Sequence, residues 1–193
     1  MLANRLESGE VEIVPAPSPN TYPKSLLPKE KLKENFLLSL RELTPYAREK
    51  RVNLLFEPIN RYEGHPGFLN SLDDAIALCD LIGDDDVYGI QPDLFHMVIE
   101  DADFFGALAR CGKRVKHMHL ADTGRTMPGT GSLDFKRLMQ VLEDIGFEAY
   151  MSLDCLPIVV GVEDYLKHSI GFMRAMEDAW DITKHIRRYG DMP

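Results

Sequence analysis

Four side chains that suit a divalent metal ion lie at or near the ends of four successive apolar segments of the sequence. The segments VNLLFEP, VYGIQPD, RVKHMHLAD and AYMSLDC deliver, in that order, Glu57, Asp93, His119 and Asp154. Three carboxylates and one imidazole form an oxygen-rich ligand set, which suits Mn²⁺, Mg²⁺ or Co²⁺ better than a structural zinc ion. Each residue alone has an ordinary explanation, such as an aspartate that caps a helix, but the four together favour a metal site.

The third of these segments carries two histidines, His117 and His119. Because they are two positions apart, both point to the same side of a strand. We expect His119, nearer the carboxyl end, to be the ligand. His117 lies deeper and is expected to support the site by hydrogen bonding. Spacing alone leaves the reverse assignment open.

A fifth apolar segment, VEIVPAP from Val11, precedes the other four, and each of the five is followed by a stretch with helical periodicity. Strands that alternate with helices predict βα units and a parallel sheet, whose carboxyl edge is where ligands bind. Pro45 lies within the first helical stretch and is expected to kink or break it.

Capping residues predict the limits of the later helices. Ser71 is expected to begin one helix that ends at Gly83, and Ser132 to begin another that ends at Gly146. The last helical stretch runs from about residue 162 to residue 180 and is amphipathic, so we expect it to cover the outside of the sheet.

Size and charge limit the possible functions. The chain has 193 residues, which favours one domain over residues 1–193. Its net charge of −9 disfavours nucleic acid and anionic membranes as partners. Apolar runs never approach the roughly 20 residues that span a bilayer, so a cytoplasmic location is expected. The three cysteines have no CxxC spacing and are expected to be buried free thiols.

Polar loop residues follow the strand ends in the segments EPINRYEGH, DLFHM and HLADTGR. His96 comes three residues after Asp93 and can face the same cleft. Arg61 and Arg125 are either specificity residues or surface residues in salt bridges, and the sequence leaves both readings open.

The segments FEPINRYE, PDLFHMVIEDAD, HMHLADTGRTMPGTG and MSLDC resemble, in this order, the motifs of the xylose-isomerase-like sugar isomerases and epimerases. They are most similar to D-tagatose 3-epimerase and related ketose 3-epimerases, and the resemblance spans about residues 10–175. It implies an α/β fold of the (β/α)8 TIM-barrel type with a divalent cation, often Mn²⁺. The implied metal ligands are Glu57, Asp93, His119 and Asp154, and the implied substrate-binding residues are Glu63, His96 and Arg125.

The resemblance also implies a reaction, the epimerisation of a free ketose at C3 through an enediolate. Glu57 and Asp154 would be the proton-transfer pair, with one carboxylate removing the proton and the other returning one on the opposite face. No Gly-rich phosphate cradle is evident, which favours an unphosphorylated sugar.

Two departures from the family pattern qualify this expectation. The family has Glu where this chain has Asp154, so the carboxylate is withdrawn by one methylene. Only five βα units are predicted, and they match barrel strands four to eight, so the barrel is incomplete. An open barrel exposes sheet edges and apolar surface. We therefore expect a homo-oligomer, a complementing N-terminal barrel half, or a rearranged N-terminal segment MLANRLESGE on the open side.

Two other functions stay open at this point. The chain is either an active isomerase or a truncated remnant that binds metal or sugar without turnover. Within the same superfamily, a hydroxypyruvate isomerase or inosose dehydratase-like enzyme is a further alternative. An endonuclease-type relative is disfavoured, because it would need a basic surface.

Overall fold

The computed structural model of the chain describes residues 8–14, 28–63, 68–156 and 160–190. Five strands lie in this part of the chain: β1 (Glu10–Ile13), β2 (Asn53–Phe56), β3 (Tyr88–Ile90), β4 (His117–Leu120) and β5 (Tyr150–Leu153). Six helices alternate with them: α1 (Lys29–Lys50), α2 (Leu72–Ile82), α3 (Leu94–Glu100), α4 (Phe104–Cys111), α5 (Phe135–Asp144) and α6 (Val162–Gly190). Two 3₁₀ turns span Gly112–Arg114 and Thr123–Arg125.

All strand pairs are parallel. β2 pairs with β1 on one side and β3 on the other, and β4 pairs with β5. Single bridges from Ile90 to Val115 and from Asp93 to His119 connect β3 with β4. The strands thus follow one another in chain order as an incomplete TIM barrel, which confirms the predicted fold. Within the described residues, β1 and β5 each pair with one neighbour only.

The apolar core lies mainly between the strands and the helices that cover them. Phe56 on β2 and Tyr88 on β3 are stacked with ring centroids 5.3 Å apart, and both are buried. Leu94, Met118 and Leu138 are also fully buried, so helices α3 and α5 are anchored to the sheet. This packing fixes the positions of the strands and therefore of the residues that follow them.

Helix α2 has the predicted ends. Ser71 forms a capping box with Asp74, and Gly83 ends the helix with a φ of 69°. The predicted start of α5 at Ser132 is wrong, because Asp134 is the capping residue and its side chain accepts from the Arg137 amide. Ser132 lies instead in the preceding loop, where its amide donates to Thr123 Oγ1.

Pro45 was expected to kink or break the first helix, and the expected break is wrong. Helix α1 continues through Pro45 to Lys50. Leu40 and Ala47, on either side of the proline, are each 2% exposed, and their packing against the sheet offsets the loss of one backbone hydrogen bond. Helix α6 extends past the predicted end near residue 180 to Gly190.

Three smaller predictions concern the rest of the chain. The cysteines Cys79, Cys111 and Cys155 are free and buried, as predicted. The predicted first strand ends at Ile13 in the structure, and residues 15–17 of that segment lie outside the described residues. Residues 1–7 of the N-terminal segment MLANRLESGE also lie outside them. Within the described ranges, no helix is both long and apolar enough to cross a membrane.

Candidate metal centre

Four strand ends bring the predicted ligand set together. Glu57 directly follows β2, Asp93 caps the start of α3, His119 lies in β4 and Asp154 directly follows β5. Each offers one ligand atom, and these four atoms all lie within 4.8 Å of one another. Since parallel strands end at one edge of the sheet, residues up to 97 positions apart in the chain meet there.

The Nδ1 atom of His119 faces all three carboxylates. It lies 2.9 Å from Glu57 Oε1, 3.6 Å from Asp93 Oδ2 and 3.9 Å from Asp154 Oδ2. A metal ion held by these carboxylates would therefore meet Nδ1 of the imidazole, and its Nε2 atom points away from the cluster.

Asp93 gives the clearest indication that the cluster suits a cation. Its side chain is fully buried, and its Oδ1 atom accepts from the amides of Phe95 and His96. Its Oδ2 atom is buried too, but it has no hydrogen-bond partner among the described residues. A buried carboxylate oxygen without a donor is unfavourable, and a divalent cation would remove that penalty. The four residues therefore fit a bound metal ion.

The crowding of carboxylates in the cluster contributes to raised pKa values for two of its residues. Burial, together with the neighbouring Glu12 carboxylate, raises the pKa of Glu57 to about 8, although the hydrogen bond to His119 opposes the shift. Burial disfavours a charged His119, but the carboxylates of Asp93 and Glu57 outweigh it and raise its pKa to about 10. In the absence of a metal ion, protons therefore supply the positive charge that this site requires.

Asp154 has a different environment, because it forms an ion pair with Arg125. Arg125 Nη2 lies 2.6 Å from Asp154 Oδ2. Burial favours the neutral carboxyl group, but the hydrogen bond and charge of Arg125 outweigh burial and lower the pKa of Asp154. Asp154 is therefore an anion at neutral pH.

Arg125 links the cluster to two other residues. Its Nη1 atom donates to Glu63 Oε2 over 3.2 Å, and its guanidinium lies over the Phe95 ring at 5.1 Å. Its backbone has a φ of 63°, which is unfavourable for a residue with a side chain. Its Nε atom is buried and has no partner in the described part of the chain. One donor of the guanidinium is thus free to bind an oxygen atom.

His96 lies beside the cluster and is 2% exposed. Its Nδ1 atom is 2.8 Å from Asn60 Nδ2, so it accepts a hydrogen bond and Nε2 carries the proton. Burial lowers the pKa of His96, which favours this neutral form. Arg61 is instead bound to Glu100 at 2.6 Å and takes no part in the cluster.

His117 lies one layer below the four ligand candidates. Its Nδ1 atom is 3.0 Å from Glu10 Oε2, and its Nε2 atom is 2.6 Å from Ser152 Oγ. The predicted hydrogen-bonding role thus involves these two residues rather than the ligand candidates. Its ring stands at 87° to that of His119, with the centroids 5.8 Å apart.

Sequence reasoning missed two residues beside the cluster, Glu12 and Gln91. Gln91 Nε2 lies 3.0 Å from Glu12 Oε2 and 3.1 Å from His119 Nε2. The alternation of Glu10, Val11, Glu12 and Ile13 in β1 could have shown that this strand directs two carboxylates into the barrel.

Comparison with known proteins identifies the family to which the chain is similar. A profile of the family described as Xylose isomerase-like TIM barrel matches residues 2–176. A D-psicose 3-epimerase of Enterocloster bolteae is 41% identical over 110 residues, covering 57% of this chain and 36% of that enzyme. A 3-dehydro-D-guloside 4-epimerase of Escherichia coli is 33% identical over 135 residues, covering 69% of this chain and 48% of that enzyme.

Solved structures share the fold. A structure of L-ribulose 3-epimerase has a TM-score of 0.78 at 21% identity and covers 99% of this chain and 67% of that chain. A D-psicose 3-epimerase with D-tagatose from Clostridium cellulolyticum H10 has a TM-score of 0.74 at 19% identity, covering 93% of this chain and 66% of that chain. The chain thus spans less than half of these two curated relatives and about two thirds of these structures.

Proposed function

Because the chain belongs to the xylose isomerase-like TIM barrel family, we propose that it carries the metal centre of a divalent-metal-dependent epimerase that inverts C3 of a free ketose. Glu57, Asp93, His119 and Asp154 would hold the ion, with Mn²⁺ favoured over Mg²⁺ or Co²⁺. The observation that carries this proposal is the four-residue cluster, whose Asp93 Oδ2 atom is buried without a partner among the described residues.

The proposed reaction needs two proton-transfer groups beside the substrate. A divalent ion would polarise the ketose carbonyl and stabilise the negative charge that develops as the neighbouring C–H bond breaks. Glu57 and Asp154 leave different strands, β2 and β5, and are the proposed pair. One removes the C3 proton and the other delivers a proton to the opposite face, which inverts that carbon.

Three further residues would hold the sugar. Arg125 has a buried Nε donor without a partner in the described residues, and His96 has its Nε2 proton available in the tautomer set by Asn60. Glu63 already bonds to Arg125 and would accept from a hydroxyl group of the sugar. The names of the curated relatives, D-psicose 3-epimerase among them, support a ketose as the substrate class.

A second candidate function is metal or sugar binding without turnover. Two observations favour it. First, β1 and β5 each pair with only one neighbouring strand within the described residues. Second, the Asp154 side chain is one methylene shorter than the glutamate of the family pattern, and it is held by Arg125. In this case the chain would bind Mn²⁺ but leave every sugar unchanged.

Proton exchange at C3 provides the test. The protein is incubated in D₂O with Mn²⁺ and a panel of free ketoses, together with hydroxypyruvate and an inosose, and the products are analysed by NMR and mass spectrometry. We expect deuterium at C3 and the C3 epimer in wild type, and neither in Glu57→Gln. Exchange at C1 with aldose formation, or turnover of hydroxypyruvate or inosose only, would replace the proposed reaction with the corresponding isomerase or dehydratase. Stoichiometric Mn²⁺ binding without exchange would support the non-catalytic alternative.

A further inference from the structure

The Nε2 atom of His119, which points away from the four-residue cluster, needs a hydrogen-bond acceptor. If Nδ1 binds a metal ion, the imidazole is neutral and its remaining proton is on Nε2. Metal-bound histidines almost always donate this second N–H group to a carboxylate, a carbonyl or water, which fixes the orientation of the ring. The residues around Nε2 therefore identify the group that positions this ligand.

Among the described residues, two side chains face Nε2 of His119. Gln91 follows β3 and is 4% exposed, and its amide nitrogen lies 3.1 Å from Nε2. Glu12, on β1, has its Oε2 atom 3.9 Å from Nε2 and 3.0 Å from the Gln91 nitrogen. These three residues come from three different strands or strand ends and meet inside the barrel.

The chemistry of the three groups selects Glu12 as the acceptor. A carboxylate only accepts, so the Gln91 amide must present its NH₂ group to Glu12. An amide nitrogen does not accept hydrogen bonds, so the Gln91 nitrogen cannot accept the Nε2 proton of His119. Glu12 Oε2 is less than 1 Å beyond hydrogen-bond range of Nε2, and its side chain is 36% exposed, so a small rotation closes the gap.

We propose that Glu12 is a positioning residue, which accepts the Nε2 proton of His119 and so directs Nδ1 at the metal ion. The inference rests on the metal centre proposed above. The Gln91 amide donates to the Glu12 carboxylate and holds it in place. The same carboxylate then accepts from both Gln91 Nε2 and His119 Nε2. In this arrangement β1 contributes to the site without supplying a metal ligand.

The chain contains a matched control two residues earlier. Glu10 is on the same strand and contacts a histidine in the same way, with Oε2 3.0 Å from His117 Nδ1. His117 is bonded on its other side to Ser152 and does not belong to the four-residue cluster. Removal of Glu10 thus perturbs a similar carboxylate–imidazole pair without affecting the proposed ligand.

The test is a calorimetric Mn²⁺ titration of the metal-stripped wild type, Glu12→Ala, Glu12→Gln and Glu10→Ala. We expect Glu12→Ala to weaken Mn²⁺ binding by about 10- to 100-fold. Glu12→Gln retains an acceptor oxygen and should recover part of that loss, and Glu10→Ala should bind as wild type does. Thermal melts without metal check the fold, because a merely structural role lowers the metal-free melting temperature of Glu12→Ala.

A spectroscopic readout separates positioning from packing. Long-range ¹H–¹⁵N NMR of His119 in the Mg²⁺-loaded protein should show the Nε2-protonated tautomer in wild type, with a mixture of tautomers in Glu12→Ala. Unchanged Mn²⁺ affinity in Glu12→Ala would overturn this inference and leave the proposed metal centre intact. Absence of Mn²⁺ binding by the wild type would overturn both.

Discussion

Arg125 and Asp154 form an ion pair at the candidate metal centre, with Arg125 Nη2 2.6 Å from Asp154 Oδ2. The pair joins the 3₁₀ turn after β4 to the end of β5 and lowers the pKa of Asp154. It keeps the carboxylate charged, as a metal ligand must be, but directs one of its oxygens to the guanidinium. In the proposed reaction, the length of this side chain would therefore decide how well Asp154 serves as the second proton-transfer group.

Replacement of Asp154 by glutamate should increase epimerisation. The added methylene extends the carboxylate by about 1.5 Å, one carbon–carbon bond. Since a misplacement of about 1 Å can lower a rate on the order of 100-fold, we expect Asp154→Glu to raise the rate of C3 deuterium exchange by up to that factor. Asp154→Asn is the control, because its amide cannot transfer the proton and should give no exchange. A slower Asp154→Glu would show that the aspartate is already well placed.

The two histidines of β4 should differ in their effect on metal binding. His119 faces three carboxylates, whereas His117 is bonded to Glu10 and Ser152. We expect His119→Ala to abolish stoichiometric Mn²⁺ binding in a calorimetric titration. His117→Ala should retain binding but melt at a lower temperature, because it leaves Glu10 and Ser152 without their partner. Equal loss of binding in both variants would contradict this division of roles.

Metal binding should release protons and strengthen as the pH rises. The pKa of Glu57 is raised to about 8 and that of His119 to about 10, so both hold protons at neutral pH that a metal ion must displace. We expect roughly one to two protons released per ion at pH 7. Calorimetry in two buffers of different ionisation enthalpy measures this number. An identical binding enthalpy in both buffers would refute the prediction.

The metal-free protein should become less stable as the pH rises. A group whose pKa is raised in the native state binds protons more tightly there, so its contribution is present at low pH and lost at high pH. For Glu57 this loss runs from its ordinary pKa of 4.5 to about 8, and for His119 from 6.5 to about 10. Urea midpoints should therefore fall across this range. The fall should be smaller in Glu57→Gln, whose amide does not titrate, and an unchanged slope would exclude Glu57 as a cause.

The edge of β5 that has no strand partner among the described residues should be an association surface. Tyr150 is 81% exposed and Met151 37% exposed on this strand, and Ile170 on α6, which lines a cavity together with Met151, is 47% exposed. We expect self-association or capture of an N-terminal barrel half, measurable by sedimentation velocity, and expect Met151→Glu to weaken it. Leu81→Glu, at an exposed apolar position on α2, is the control and should leave association unchanged. If the wild type and Leu81→Glu were monomers at all concentrations, this expectation would be contradicted.

The meeting of the four candidate ligands was predictable because they lie at strand ends. Glu57, Asp93 and Asp154 each come after a short apolar segment, and parallel strands that end at one edge must bring such residues together. The choice of His119 over His117 followed from position along the strand. The start of α5 was not predictable in the same way, because Ser132 and Asp134 are both good capping residues and only the loop contacts of Ser132 decide between them.

The amino-acid sequence by itself determined the order of βα units, the polar residues at the carboxyl edge and the incomplete barrel, because these depend on periodicity and chain order. Only the tertiary structure decided which side chains touch. The Arg125–Asp154 pair and the approach of Glu12 to His119 join residues 29 and 107 positions apart, and their geometry depends on strand register and twist. Hydrogen bonds act over about 3 Å, a precision that patterns of residue type do not contain.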